Sequence, residues 1–358
     1  MKAKQKTRIL KANQIDQACR ALKRGQLVVI PTETVYGLAA DAFEEASVVE
    51  IFRVKKRPFF DPLIVHIPEN KTSIEELERS RLVDGTKLNS KQRKIIDSLA
   101  RAFWPGPLTL VLPKTKQVPD IVTSGLDSIA IRCPKHLLTQ KVLKKSGLFL
   151  AAPSANLFGK TSPTRAQDAK TDLNGRVRWI LDGGPCTVGI ESTVLQIYPT
   201  LKILRLGGVS RTQLESVLKI KLSYGSERKK KRAPGLLENH YAPEKQLYLV
   251  GDLEKSLKLK NMIRKKKISY LAAHGSKKTC LTNFEKRFGI RPASVHVLSE
   301  KRNPLEAAKN LFSYFRALSR EKTDIIVCDL WPDPQKQTIG AAINDRIQKA
   351  SVKPPFLC

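Results

Sequence analysis

Two short stretches of this chain combine residue types suited to anion chemistry. Lys55-Lys56-Arg57 presents a run of cations closed by Pro58, and Ser154-Ala155-Asn156 sets small polar side chains in a turn flanked by Pro153 and Gly159. Lys and Arg donors match phosphate oxygens, and Ser and Asn suit a nucleoside or an amino acid. Thr34 sits in Pro31–Leu38, just beyond the apolar run Leu27–Ile30, where ligands of open sheets bind. Arg132 ends the apolar run Ile129–Ile131; an arginine there needs an anion, either a ligand carboxylate or an internal acidic partner. Ser192 and Thr193 close a segment from Asp182 whose glycines allow close approach of a ligand or simply form a turn. Arg205 is a further candidate phosphate donor. His66 lies within an apolar run, where histidine is more often a satisfied core residue than a ligand.

Other chemistries are excluded. Gly159-Lys160-Thr161 looks like the end of a P-loop, but Ser154 stands where the first glycine is required, and no G-x-G-x-x-G follows a strand. No Ser-His-Asp arrangement, paired-carboxylate motif or H-E-x-x-H is present. These residue types support catalysis by positioning and charge neutralisation, without a protein nucleophile.

The elements that must position them read as mixed α/β. Ile15, Ala18, Cys19 and Leu22 share a helical face, and a second helix is predicted from Glu45 to Arg53. Strand-like runs follow at Leu63–Ile67, Leu108–Leu112, Ile129–Arg132, Leu148–Ala151, Trp179–Leu181, Thr193–Ile197 and Ile203–Arg205. So many strands with few intervening helices predict a twisted mixed sheet over residues 1–220. The run Lys229–Arg232 next to Ala233-Pro234-Gly235 marks a linker, 221–244. Beyond it, strands at Leu247–Val250, Ile268–Ala272 and Asp324–Cys328 alternate with helices at Pro304–Leu318 and Gly340–Ala350. That rhythm predicts a small doubly wound parallel sheet, Rossmann-like, over 245–358.

Composition bounds the function. The 358 residues are 41% hydrophobic and 27% charged, with no apolar run long enough for a membrane span, so a cytoplasmic protein is the simplest reading. Six scattered cysteines contain no C-x-x-C pair, which argues against a zinc knuckle or a disulfide framework. The net charge of 65 − 33 = +32 favours a polyanionic partner such as RNA, or only a solvated basic surface. At 6% aromatics there is no basic-aromatic interleaving of the base-stacking kind.

In this order the stretches resemble the YrdC-like threonylcarbamoyl-AMP synthases, in the long form with an extra C-terminal domain. The resemblance is carried by Pro31–Leu38, Lys55–Ile67, Phe103–Thr109, Ile129–Pro134, Pro153–Asn156, Ser162–Thr164 and Asp182–Thr193. His240-Tyr241-Ala242-Pro243 matches the linker, and Asn310–Phe312 and Ile339–Asn344 match the extra domain. It implies a nucleotidyltransferase that makes threonylcarbamoyl-adenylate and pyrophosphate from L-threonine, bicarbonate (or CO2) and ATP with Mg2+. A partner transferase would then modify tRNA beside the anticodon, with direct tRNA contact left open. Carried over residue by residue, Thr34, His66, Arg132, Ser154 and Ser192 would bind threonine. Lys55, Arg57, Asp61, Ser128, Asn156, Thr164, Arg205 and Tyr241 would bind ATP, with Lys55 and Arg57 catalytic. Lys56 departs from the usual glycine, Asp61 from the usual asparagine, and Leu236–Asn239 is atypical. The alternative is an RNA-binding protein of this fold without catalysis.

Overall fold

The computed structural model describes residues 6–225, 241–333 and 338–352. His240, the basic run Lys229–Arg232, the atypical stretch Leu236–Asn239 and Cys358 lie outside the described residues. The chain divides into two compact units, Met1–Phe158 with Ser162–Leu236 and Gly159–Thr161 with Leu237–Cys358.

The first unit is built on ten strands: β1 (Arg8–Leu10), β2 (Val28–Ile30), β3 (Gly37–Asp41), β4 (Ile64–His66), β5 (Leu108–Pro113), β6 (Ser128–Arg132), β7 (Leu150–Ala151), β8 (Trp179–Leu181), β9 (Thr193–Gln196) and β10 (Lys202–Arg205). They form one mixed sheet in the order β1-β8-β2-β3-β7-β4-β6-β5-β9-β10. Between them run α1 (Ile15–Lys23), α2 (Glu45–Lys55), α3 (Ile74–Arg79), α4 (Ser90–Phe103), α5 (Asp120–Thr123), α6 (Leu137–Ser146), α7 (Ala166–Leu173) and α8 (Arg211–Leu218). The mixed sheet matches expectation, but the helices are more numerous than the sequence pattern suggests. Several are strongly polar on their outer face, as in α4, where only Ile96, Leu99 and Ala100 are buried.

Strand alternation decides what each sheet face carries. Val29, Val65, Leu110, Leu112, Ile129, Ile131 and Leu195 point into the main core with Ile51 and Phe52 of α2, Leu99 of α4 and Leu173 of α7. On the opposite face, α1 and α6 cover the β1–β7 half through Ala18, Leu22, Val142 and Leu143 against Val28, Ile30 and Leu150. The other half of that face carries only a small apolar cluster drawn from strands, Ile64, Val111, Ala130, Val194 and Leu204. That face carries the candidate site.

The second unit holds β11 (Leu247–Leu249), α9 (Val250–Lys255), α10 (Leu257–Ile263), β12 (Ile268–His274), α11 (Lys277–Phe288), β13 (Ser294–Ser299), α12 (Pro304–Arg320), β14 (Ile325–Cys328) and α13 (Ile339–Ala350). Its sheet is all parallel in the order β11-β14-β12-β13. The sequence match Ile339–Asn344 has a structural explanation here. Asn344 brackets Trp331 by accepting from its N–H (2.7 Å) and donating to its carbonyl (2.8 Å). Gly340 has no room for a side chain, because an added Cβ would come within 2.5 Å of the Trp331 ring.

Helix α2 ends through Lys56, whose backbone is left-handed (φ 54°, ψ 38°) while its side chain is exposed. The conformation costs an L-residue about 1 kcal/mol or more, which glycine avoids. Lys56→Gly should therefore stabilise the first unit by about 0.5–1 kcal/mol. Urea unfolding followed by the fluorescence of Trp104 and Trp179 measures this, and a loss of stability would contradict it.

Candidate active site

Register brings the polar residues together. Ile64 pairs with Ala130 and His66 with Arg132 across β4 and β6. Val111 pairs with Ala130 across β5 and β6, and Thr109 with Val194 across β5 and β9. Residues two apart share a face, so His66, Arg132, Thr109 and Ser192 stand on the face that carries Ile64, Ala130, Val111 and Val194. Arg205 pairs with Val194, and a register irregularity after Ile203 lets both Leu204 and Arg205 join the same side. Ser128, two residues before Ala130, faces the same way at the far end of β6 from Arg132, about 13 Å along the strand.

At the Arg132 end the groups are buried and interlocked. Ser192 Oγ and Thr109 Oγ1 are 2.7 Å apart. Arg205 donates from Nε and Nη2 to the Ser192 carbonyl (3.1 and 2.9 Å) and from Nη2 to its hydroxyl (3.2 Å). A side chain at Gly207 would collide with the Ser192 peptide at 2.3 Å, so glycine there lets the chain close behind this serine. Thr193 points away from Ser192, and its hydroxyl donates to the Val209 carbonyl, which removes it as a ligand candidate. Arg132 Nη2 donates to Glu33 Oε1 at 2.7 Å. His66 is 3% exposed, and its Nδ1 is buried without a hydrogen-bond partner among the described residues. A satisfied core histidine was the more frequent expectation; instead one buried polar atom of this ring has no partner among the described residues. Burial, then the charge of Arg132, pushes the imidazole down to about 3, so it is neutral at physiological pH.

The other end gathers the cations. Lys55 is 1% exposed and Arg57 7%, so neither is a solvated helix end. Lys55 Nζ donates to the carbonyls of Ser154 and Asn156, fastening the signature turn to the end of α2. Burial, then the neighbouring Arg57, lowers this ammonium well below the usual lysine range. Arg57 donates to the carbonyls of Asp61 and Pro62 (both 3.0 Å) and forms an ion pair with Asp61 at 2.9 Å. The negative charge that departs from the usual asparagine is thus spent on Arg57. The β4–β6 register carried back two residues sets Ser128 level with Pro62, beside this pair.

The loops between the ends are tied to one another. The Leu38 N–H donates to the Pro153 carbonyl (2.8 Å) and the Ala155 N–H to the Tyr36 carbonyl (2.8 Å), which sets Ser154 and Asn156 beside the Pro31–Leu38 segment. Thr34 is fully buried with its hydroxyl 2.8 Å from that of Thr32. Thr164 is 2% exposed, and its carbonyl accepts from the Cys186 N–H at 2.9 Å. In Asp182–Cys186, packing requires Gly183, which lies against His136 and Pro31, whereas Gly184 adopts a left-handed turn (φ 78°); Tyr36 Oη bonds the N–H of Gly183 and the carbonyl of Gly184. Tyr241 belongs to the second unit, where its ring is 1% exposed and stacks on Phe312 at 5.4 Å, with the Arg346 guanidinium 5.5 Å from it. Sequence reasoning missed Glu33 and Thr109, because partners 99 and 83 positions away leave no local signal.

Among the described residues no group of three or more His, Cys, Asp or Glu side chains could hold a metal ion, and no helix is long and apolar enough to cross a membrane. Five cysteines are free and buried.

Known proteins resemble this chain over nearly its whole length. Residues 20–207 match the Sua5/YciO/YrdC family model, described as telomere recombination, and residues 209–352 match the C-terminal domain of threonylcarbamoyl-AMP synthase. The threonylcarbamoyl-AMP synthase of Bacillus subtilis is 35% identical over 345 residues, covering 94% of this chain and 93% of its own. That of Pyrococcus abyssi is 36% identical over 341 residues, covering 92% of each. The crystal structure of P. abyssi Sua5 complexed with L-threonine superposes with a TM-score of 0.79 at 34% identity, covering 96% of this chain and 98% of that one. With both domain models matched in sequence and relatives aligned over nearly their whole length, the chain belongs to the YrdC/Sua5 family of threonylcarbamoyl-AMP synthases, in its long two-domain form.

Proposed function

We propose that this protein is an L-threonylcarbamoyladenylate synthase, a nucleotidyltransferase acting on L-threonine, bicarbonate or CO2, and ATP. The observation that carries the reading is the single sheet face in the first unit. Its β6 carries Arg132, beside an unsatisfied His66, at one end and Ser128 about 13 Å back along the strand, level with Pro62, whose carbonyl holds Arg57. That length suits an amino acid joined through a carbamate to a nucleoside phosphate.

Threonine would lie at the Arg132 end, its carboxylate toward the guanidinium and its polar atoms toward His66 Nδ1, Thr34, Ser154 and Ser192. The amine adds to CO2, forming an N–C bond and releasing a proton to solvent. A carbamate oxygen then attacks the α-phosphorus of ATP, and the bond to pyrophosphate breaks. Lys55 and Arg57 would offset the charge gathering on the phosphates, with Asn156, Thr164 and Ser128 orienting the nucleotide, whereas Arg205, expected there too, is held at the Arg132 end against Ser192. A polyanion beside Lys55 favours its charged form and would counter the effect of burial. Asp61 would act through Arg57 by holding its guanidinium. Magnesium would arrive on the triphosphate with its own waters, as part of the substrate. The net charge of +32 supports attraction to tRNA, and a partner transferase would consume the adenylate.

Incubation with L-threonine, isotopically labelled bicarbonate and MgATP should give labelled threonylcarbamoyl-adenylate by mass spectrometry, with one pyrophosphate released for each. Absence of the adenylate under these conditions would reject the reading.

A further inference from the structure

We infer that Glu33 is a positioning residue, which turns Arg132 so that one edge of its guanidinium is presented to a substrate carboxylate. The inference rests on the threonine site proposed above and extends it to a residue that contacts no substrate there.

Glu33 and Arg132 are almost wholly buried, with side chains 6% and 5% exposed. Each carboxylate oxygen of Glu33 has its own donor: Oε1 takes Arg132 Nη2 at 2.7 Å and Oε2 takes the Lys135 N–H at 3.0 Å. The Glu33 backbone is fixed as well, because its carbonyl accepts from the Val188 N–H at 2.7 Å. On the arginine, Nε donates to the Gly106 carbonyl at 3.3 Å, and the Gly106 N–H is anchored on the Cys133 carbonyl at 2.8 Å. Two of the three guanidinium nitrogens are therefore held by a rigid frame, and Nη1 is the one these bonds leave over. A planar guanidinium held at Nε and Nη2 has no rotational freedom left, so Nη1 points in one direction.

The pair has a second consequence. An arginine buried alone on this face would be costly to desolvate, whereas one balanced by Glu33 can stay charged in the absence of substrate. Glutamine at position 33 keeps the size but has one carbonyl oxygen, which cannot serve Arg132 and the Lys135 N–H as two carboxylate oxygens do. The guanidinium then loses its fixed orientation while every substrate-contacting residue remains.

The test compares two ligands by calorimetry: L-threonine, and L-threoninol, which replaces the carboxylate with an alcohol. The wild-type protein should bind threonine at least about tenfold more tightly, because charged hydrogen bonds are the stronger class. Glu33→Gln should weaken threonine by about tenfold or more and shift threoninol by less than about twofold. Glu33→Asp keeps the internal charge balance, and therefore the fold, while withdrawing the carboxylate from Arg132; it should show the same selective loss in smaller degree. Equal weakening of both ligands, or unchanged threonine affinity in both variants, would overturn the positioning role. Wild-type protein that binds neither ligand would instead reject the threonine site itself.

Discussion

Replacing Arg57 with alanine should slow threonine-dependent pyrophosphate release by about 100- to 1,000-fold, the usual loss when one preorganised donor to developing charge is removed. The variant should also lose about 3–5 kcal/mol of stability, because Asp61 is 2% exposed and its carboxylate would be left buried without its partner. A slow and unstable variant alone would prove little about chemistry. Arg57→Ala combined with Asp61→Asn separates the two effects. Removing both charges restores electroneutrality, so the double variant should recover most of the stability, yet it still lacks the guanidinium and should stay as slow as Arg57→Ala. Asp61→Asn alone should fold well and keep much of its activity, because the Asp61 and Pro62 carbonyls still hold Arg57 at 3.0 Å. Urea unfolding and a pyrophosphate assay on the three variants measure this. A double variant as fast as the wild type would remove Arg57 from the mechanism.

The legible parts of the fold were the strands buried on both faces. β4, β5, β6 and β9 show as mainly apolar runs, and the predicted bounds differ from the observed ones by a residue or so. β3 was not among the predicted strands, because Gly37-Leu38-Ala39-Ala40-Asp41 has mostly small side chains and no alternation, and its pairing with β2 is a tertiary fact. The polar helices α4, α7 and α8 were missed for the opposite reason, since each buries only a few residues. In the site, the cations and hydroxyls could be named from motif and spacing. What each does could not. Lys55 was named as a phosphate donor, but its burial against the Ser154 and Asn156 carbonyls left no mark in the sequence. Arg132 left open whether its anion was a ligand or an internal acid; Glu33 supplies the internal acid, and Nη1 is the edge left toward a ligand. Ser192 and Thr193 were equal as hydroxyls in sequence, and strand alternation alone sends one into the site and the other to Val209.

His66 should make the first unit acid-sensitive from about pH 7 downward, before ordinary carboxylates begin to titrate. In the unfolded chain this histidine titrates near 6.5, whereas in the folded unit burial, followed by the Arg132 charge, holds it down to about 3; the carbonyls of Ile64 and Leu150 oppose this only in part. Between those values the unfolded chain binds a proton that the folded one does not, so stability rises with pH. The contribution is complete above about pH 7, falls as pH drops through 6.5, and stops falling near pH 3. From pH 7.5 to 5 the loss from this residue should be about 2 kcal/mol. His66→Gln has no such proton to take up on unfolding, so its stability should fall less over that interval by the same amount. Urea unfolding of both proteins at the two pH values, followed by Trp104 and Trp179 in a Trp331→Phe background, gives the difference directly. The same burial bears on catalysis. A ring that stays neutral down to about pH 3 cannot supply an acid limb near pH 6.5 in kcat/KM for threonine. A limb there that disappears in His66→Gln would mean that the ring is protonated in the working enzyme and that its Nδ1 is not held dry.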